Sequence, residues 1–140
     1  MEERSMISAR SIFLSVCVMV SFLALAAYAA PDGNVSGSYS ISAPTAAGDD
    51  VQVTISLSIS NNTSADIKNA AISLHDPLAA RMTYGSLNGL ALPAGAATHV
   101  SGSFKVPRQL YDSWQKGSSP AMSVSFNDAD GKAVRMFIEF

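Results

Sequence analysis

The sequence predicts an all-β protein folded as an antiparallel two-sheet sandwich of about seven strands with one short crossover helix. Three observations support this prediction. Several runs alternate apolar and polar residues with a period of two, clusters of turn-forming residues separate those runs, and one segment alone has helical spacing. A second sheet is expected because each large apolar side chain left in water would forgo roughly 1.5 to 3 kcal/mol.

The first three predicted strands occupy the first half of the domain. Residues 35–43 alternate small or apolar residues with serines, which is typical of a half-buried strand. Residues 51–59 have the strongest alternation, with aliphatic residues on one face and Gln, Thr and Ser on the other. After a turn cluster at residues 61–64, the apolar positions of residues 67–74 predict the third strand.

The middle of the domain is less regular. Residues 76–94 predict one or two short edge strands, because glycines and a proline interrupt their apolar positions. Residues 98–106 alternate again and predict a further strand. Residues 107–117 begin with proline, space their apolar residues three and four apart and end with glycine, which indicates one short helix.

The last predicted element is a hairpin. Apolar residues at positions 122, 124 and 126 face those at 134, 136, 138 and 140 across the connection Asp128-Ala129-Asp130-Gly131. Aspartate and glycine are typical of such turns because glycine tolerates positive φ. The chain is therefore expected to end within a strand.

The N-terminal segment has the features of an export signal. Residues 11–26 are uncharged, and Ala27-Tyr28-Ala29 provides the pattern of small residues that signal peptidase cleaves. We therefore expect residues 1–29 to be a signal peptide and residues 30–140 to be the mature domain in the periplasm, at the cell surface or secreted. An uncleaved anchor is the alternative, because residues 11–30 are long enough to cross a bilayer.

Composition restricts the possible functions. The chain is 48% hydrophobic and 14% charged with a formal net charge of −2, which disfavours both disorder and nucleic-acid binding. Its one cysteine, Cys17, lies in the predicted signal, so the mature domain would be stabilised by packing without disulfides. Asn34, Asn61 and Asn62 begin Asn-x-Ser/Thr tripeptides and are interpreted as ordinary loop asparagines.

Two stretches of the chain carry a family resemblance. In the first, residues 51–59 run through Asn61-Asn62-Thr63-Ser64 into the strand at 66–74; in the second, residues 92–98 lead into 100–106. This succession resembles bacterial immunoglobulin-like and fibronectin-type-III-like extracellular domains, including the cell-adhesion-related kind. The resemblance implies a β-sandwich used for adhesion, spacing or partner binding. The chain departs from antibody-type domains because it has no cysteine pair between the sheets and places its tryptophan on the helix.

Hydroxyl side chains dominate the predicted outward faces of the first two strands. If these strands are neighbours, they form an uncharged polar surface to which Ser101 and Ser103 would add. Such a surface is either a plain solvated face or a binding surface for a protein, a glycan or a second copy, because it loses its water more easily than a charged face does. The candidate binding residues here are Ser36, Ser38, Ser40, Thr54, Ser56 and Ser58.

Aromatic residues on the predicted helix offer a second candidate. We expect Tyr111 and Trp114, with Leu110, to close the open end of the sandwich, because aromatic side chains gain much from burial. The alternative is an exposed platform of Arg108, Tyr111 and Trp114 that stacks against a sugar ring or a peptide.

Signals for metal binding and catalysis are weak. Asn127, Asp128 and Asp130 offer three oxygen ligands, fewer than the six to eight that calcium takes, so a hairpin turn is the favoured interpretation. His75 and His99 are interpreted as surface residues, and no catalytic motif accompanies them.

The sequence thus predicts an exported, non-enzymatic structural or adhesive interaction module that uses no cofactor or metal. Its expected partner is a protein or glycan at the cell surface, and self-association is possible. The sequence gives no reason to expect nucleic-acid binding, or membrane association after signal cleavage. The alternative function is a carbohydrate-binding or accessory subunit that uses Tyr111 and Trp114; a small hydrolase that uses His75 or His99 ranks third.

Overall fold

The computed structural model describes residues 33–140, which form two antiparallel sheets stacked as a sandwich. The fold class predicted from the sequence is confirmed: the protein is all-β, with two sheets and one short helix in this range. Residues 33–140 contain eight strands where about seven were predicted. The predicted signal peptide, residues 1–29, lies outside the described residues.

Sheet I is built around one long central strand. It contains β1 (Val35–Ile41), β2 (Thr45–Ala47), β3 (Asp50–Asn61) and β6 (Ala97–Pro107). All three neighbours pair with β3 in antiparallel fashion, and β6 does so along its whole length. Because β1 and β6 bond to the same part of β3, they must lie on opposite sides of it. The extra strand, β2, has three residues, too few to show a period of two.

Sheet II has the strand order β5-β4-β7-β8, and every pair is antiparallel. Its strands are β4 (Ile67–His75), β5 (Thr83–Leu92), β7 (Ala121–Asn127) and β8 (Ala133–Phe137). The edge position predicted for the middle of the domain is correct, although one ten-residue strand replaces the expected short ones. Three shifts of register between β4 and β5 accommodate its irregular sequence.

The core lies between the two sheets. It is formed by every second residue of the strands, the residues whose side chains point inward. β3 provides five consecutive inward aliphatic side chains, each at most 2% exposed. The alternation that predicted β3 therefore corresponds to real burial, because its two faces meet different environments. The buried apolar residues of the two central strands are Val51, Val53, Ile55, Leu57, Ile59, Ile67, Ala70, Ile72 and Leu74.

The predicted helix is present as α1 (Arg108–Gln115), directly after Pro107. Proline suits this position because its fixed φ favours a helix start and it lacks the N–H that would have no partner there. Gly117 ends the helix with φ 107°, a left-handed conformation that glycine adopts without a steric cost. The helix packs against β3 and β6. No helix in residues 33–140 has both the length and the apolar character needed to cross a membrane.

The C-terminal residues connect the two sheets. The N–H of Ile138 donates to the carbonyl of Met122 in sheet II, whereas Glu139 forms a parallel bridge with Ser36 in sheet I. The N–H of Gly37 donates to the carbonyl of Glu139 at 2.9 Å. The side-chain amide of Asn34 also donates to the Glu139 carboxylate at 2.6 Å. The edge of β1 is thereby partly covered, which blunts a site of unwanted strand pairing.

Asn61 is not the ordinary loop asparagine that the sequence suggested. It is fully buried at the end of β3. Its side-chain amide donates to the carbonyls of Ala65 and Leu92, while its side-chain oxygen accepts from the N–H and the hydroxyl of Thr63. A buried amide needs such partners, and this one ties three loop or strand segments together.

Candidate functional site

The outer surface of sheet I carries the hydroxyl array that the sequence suggested. Because β1 and β6 flank β3, the predicted residues lie in cross-strand rows. We call this surface the hydroxyl face, and it consists of Ser36, Ser38, Ser40, Thr54, Ser56, Ser58, Ser60, Ser101 and Ser103. The row through its centre is Ser40, Ser56 and Ser101, and the next row is Ser38, Ser58 and His99. Lys105 lies opposite Gln52 at one end, beyond the hydroxyl face.

Hydrogen bonds between strands order part of the hydroxyl face. The hydroxyls of Ser56 and Ser101 are 2.9 Å apart, and those of Thr54 and Ser103 are 3.4 Å apart. A hydroxyl both donates and accepts, so each pair keeps capacity for a further bond to water or to a ligand. The structure therefore brings together all six serine and threonine candidates named from the sequence.

The centre of the hydroxyl face is slightly concave. A depression of about 370 Å³ lies there, and Ser38, Ser40, Ser56, Ser58 and Ser101 line it with His99. The space is open because the outward lining residues other than His99 are serines, whose side chains are short. His99 is exposed, as the sequence predicted, and it provides the only ring among the outward residues of this depression.

The aromatic residues of α1 do not form the exposed platform that was the alternative prediction. Trp114 is only 7% exposed and belongs to the hydrophobic core, as the favoured interpretation predicted. The half-buried Tyr111 meets it edge to face, with ring centroids 6.5 Å apart. Arg108 is exposed on the same helix. A sugar cannot stack on a face of Trp114 that is packed inside the protein, so this arrangement does not support carbohydrate binding through α1.

His75 is not a surface residue, which corrects the interpretation made from the sequence. It is 2% exposed, and its neighbour Ser123 is completely buried. Nε2 of His75 lies 2.5 Å from the Ser123 hydroxyl, and Nδ1 lies 2.7 Å from the carbonyl oxygen of Ala80. The carbonyl can only accept, so Nδ1 carries the proton and Nε2 accepts from the Ser123 hydroxyl. The ring of Phe137 packs beside the imidazole with centroids 5.5 Å apart.

This pair has the composition of a nucleophile and its base but not the access that catalysis requires. A serine nucleophile must reach the substrate, and the Ser123 hydroxyl is sealed inside the protein. The role that the geometry supports is structural, since the bonds hold the loop after β4 to strand β7.

A second polar contact joins the loop after β4 to strand β5. The Tyr84 hydroxyl donates to Asp76 at 2.6 Å, and the N–H groups of Leu78 and Ala79 donate to the other oxygen of the same carboxylate. These hydrogen bonds, first that from Tyr84, lower the pKa of Asp76. The hydrogen bond to Asp76, followed by desolvation and the negative charges of Asp76 and Asp50, raises the pKa of Tyr84 to about 12.

The acidic loop after β7 is a hairpin turn. The Asp128 carboxylate accepts from the N–H groups of Asp130 and Lys132, both at 2.9 Å, and the Asp128 carbonyl accepts from Gly131. One carboxylate oxygen is thus already engaged by the backbone, as in turns that begin with aspartate. Within residues 33–140, no cluster of three or more His, Cys, Asp or Glu side chains is arranged to hold a metal ion.

The fold and the outer surface of sheet I define an all-β sandwich with an ordered, uncharged hydroxyl face. No protein-family model matches the chain, and no curated protein matches it significantly. The function is therefore argued from the surface itself.

Proposed function

We propose that this protein is an exported, non-enzymatic interaction module with a structural or adhesive role in the periplasm or at the cell surface. The hydroxyl face is the binding surface in this proposal, and its partner is another protein, including a second copy of the chain. The single observation that supports it most is the continuity of hydroxyl side chains across three adjacent strands, without a charged residue among them.

An uncharged hydroxyl face favours contact for two physical reasons. Its groups lose less hydration free energy on burial than charged groups would, and each can exchange a bond to water for a bond to the partner. Its side chains are short, so a second surface can approach the sheet closely.

The size of the hydroxyl face indicates that one contact is weak. Three strands about 4.8 Å apart and four rows about 6.8 Å apart give an area of roughly 400 Å². Specific stable complexes bury about 800 Å² on each partner, so this face provides about half of that area. Weak single contacts suit adhesion, in which many copies act together and multiply the strength of attachment.

The strand order supports the resemblance to immunoglobulin-like and fibronectin-type-III-like domains. In constant-type immunoglobulin sandwiches the first, second, fourth and fifth strands share one sheet, and the third, sixth and seventh share the other. If β1 and β2 are counted as one strand, because both pair with β3, then β1, β3 and β6 correspond to the first, second and fifth strands, and β4, β7 and β8 to the third, sixth and seventh. The fourth strand, β5, differs because it pairs with β4 in sheet II. Together with the predicted signal at residues 1–29, this order favours an extracellular module.

A neutral glycan is the second candidate partner, favoured by the depression at the centre of the hydroxyl face. Its volume of about 370 Å³ lies in the range of small-molecule sites, and its lining offers donors and acceptors without charge. Among its outward lining residues, His99 has the ring that could pack against a sugar.

The proposal is tested with two variants, each of which introduces one positive charge at an exposed, hydrogen-bonded serine of one sheet. Ser101→Arg alters the hydroxyl face, where Ser101 is exposed and bonded to Ser56. Ser86→Arg is the matched control, because Ser86 is exposed on sheet II and bonded to Ser73 at 2.7 Å. Bead clustering measures adhesion between copies, and an array of neutral glycans measures the second candidate.

We expect wild-type beads to cluster, Ser86→Arg beads to cluster equally and Ser101→Arg beads to remain dispersed. Retention on the glycan array with loss in Ser101→Arg would instead favour the second candidate. Equal behaviour of the two variants, or neither clustering nor retention of the wild type, would contradict a binding role for the hydroxyl face.

A further inference from the structure

A second depression lies on the outside of sheet II, on the opposite side of the sandwich from the hydroxyl face. It has a volume of about 600 Å³ and is bordered by residues of β4, β7 and β8. Its polar lining residues are Asn69, Ser125, Asn127 and Arg135. Arg135 is the only charged residue among those that line it. The site therefore combines one cation with two carboxamides and a hydroxyl.

The strand register explains why the depression is open and why its polar side chains lie close together. Ser125 lies directly opposite Arg135, and Asn127 lies opposite Ala133. Directly opposed residues have Cβ atoms about 5 Å apart, so these side chains share one small area of the sheet. The short side chains of Ser125 and Ala133 leave open space beside the longer ones of Asn127 and Arg135. The depression is thus a consequence of which residues face each other.

Asn69 is placed there by an irregularity in β4. It is the one non-glycine residue of residues 33–140 with positive φ, at 50°. The register between β4 and β5 shifts between Ile67 and Ala70, which is the signature of a bulge. Bulges redirect side chains, and strained residues of this kind concentrate at functional sites. Asn69 is exposed, so its carboxamide is accessible to a ligand.

The hydrogen-bonding groups of the depression indicate which chemical class of ligand would bind there. A guanidinium group presents a planar pair of N–H donors that matches the two oxygens of a carboxylate. Each carboxamide both donates and accepts, which suits the adjacent hydroxyl groups of a sugar. Phe126 and Val134 are paired on the core side of β7 and β8, so between the polar groups the floor of the depression is formed by strand backbone and by the small side chain of Ala133.

We propose that this depression binds a carboxylate-bearing sugar, such as a uronic acid residue of an acidic glycan. Arg135 pairs with the carboxylate, and Asn69 and Asn127 bond to the ring hydroxyls. This site is independent of the hydroxyl face, because it lies on the other sheet and requires an anion.

The test is an NMR titration of the full-length chain with galacturonate as the probe. Galactose and the methyl ester of galacturonate have the same ring without the charge, and inorganic phosphate has the charge without the ring. We expect galacturonate to shift the amide signals of Asn69, Asn127 and Arg135 with saturation, and the three other compounds to bind at least about tenfold more weakly. Equal binding of galactose, tighter binding of phosphate, or no binding of galacturonate would overturn the proposal.

Three variants locate the site. Arg135→Gln removes the cation and should weaken galacturonate binding at least about tenfold, and Arg135→Lys should weaken it because an ammonium lacks the paired donors. Lys132→Gln is the matched control, since Lys132 is an exposed cation nearby in sequence that does not line the depression. Equal weakening in Lys132→Gln would show a general charge effect and would overturn the proposal. The Ser101→Arg variant of the hydroxyl face should bind galacturonate normally, so failure of one proposal is distinguishable from failure of the other.

Discussion

His75 and Ser123 form a buried hydrogen bond in which the serine hydroxyl donates to Nε2 at 2.5 Å. The partners are 48 residues apart in sequence, on the neighbouring strands β4 and β7. The Ala80 carbonyl fixes the tautomer from the other side of the ring. Among the described residues, no buried side-chain nitrogen or oxygen lacks a hydrogen-bond partner, so this pair belongs to a fully satisfied interior.

Ser123→Ala is expected to destabilise the protein, because it leaves Nε2 of His75 buried without a donor. The free energy of unfolding should fall by about 1 to 3 kcal/mol, the usual cost of an unsatisfied buried group. Urea unfolding monitored by circular dichroism measures this change.

The matched control for Ser123→Ala is Ser86→Ala, which removes a hydroxyl bond on the exposed face of sheet II. Water replaces that bond, so the change should stay within about 0.5 kcal/mol. If both variants lost the same stability, burial would not be the reason that the His75 contact matters.

The bond between Tyr84 and Asp76 predicts a loss of stability at high pH. The pKa of Tyr84 rises from 10.0 to about 12 on folding. A raised pKa gives stability that is complete below pH 10 and disappears as the pH rises through 12. Tyr84→Phe should therefore reduce stability at neutral pH but flatten its decline between about pH 10 and 12.

Asp76→Asn tests the same contact from its other side. It replaces the charged acceptor of the Tyr84 hydrogen bond with a neutral amide oxygen, which should raise the pKa of Tyr84 less and so also flatten the alkaline decline. The pKa of Asp76 is lowered from 3.8, so its own contribution is present above that value and is lost as the pH falls below it. Urea midpoints measured across pH for the wild type and both variants provide the test. Identical slopes in all three proteins would contradict it.

Burial of Trp114 predicts its fluorescence. It is the only tryptophan of the chain, so the emission can be assigned without ambiguity. With 7% of its surface exposed, it should emit at short wavelength and be quenched weakly by acrylamide. Unfolding in urea should shift the emission to the red and restore quenching. Strong quenching of the native protein would contradict the buried position of Trp114 and would support the exposed aromatic platform on α1 instead.

Alternation of apolar and polar residues predicts burial correctly where one face of a strand meets the core and the other meets water. In β3 it correctly assigned Val53 and Ile55 to the core and Thr54 and Ser56 to the outside. The hydroxyl face follows from that alternation together with the neighbouring positions of β1 and β6. Period-two patterns are informative here because a shift of one residue would bury the serines and expose the aliphatic side chains.

Polar residues at strand ends could not be assigned in the same way. His75 and Asn61 are buried because of partners distant in sequence, Ser123 for the first and the Leu92 carbonyl for the second. Nothing within a local window distinguishes such residues from loop residues that face water. The depression beside Asn69 was equally hidden, because it depends on a bulge that only the pairing of β4 with β5 creates.

Two glycines of sheet I should differ in how much stability is lost when each is replaced by alanine. A Cβ atom at Gly37 would lie 2.3 Å from the backbone oxygen of Ser58, whereas one at Gly102 would lie 2.5 Å from Cδ2 of Leu87. The backbone of β3 cannot move without disturbing its pairing, but the half-buried Leu87 side chain can change rotamer. Gly37→Ala should therefore cost about 1 to 3 kcal/mol, as overpacking usually does, and Gly102→Ala should cost less. Urea unfolding of the two variants measures the difference. Equal stability of both, or a more stable Gly37→Ala, would show that β1 is held less closely to β3 than these distances imply.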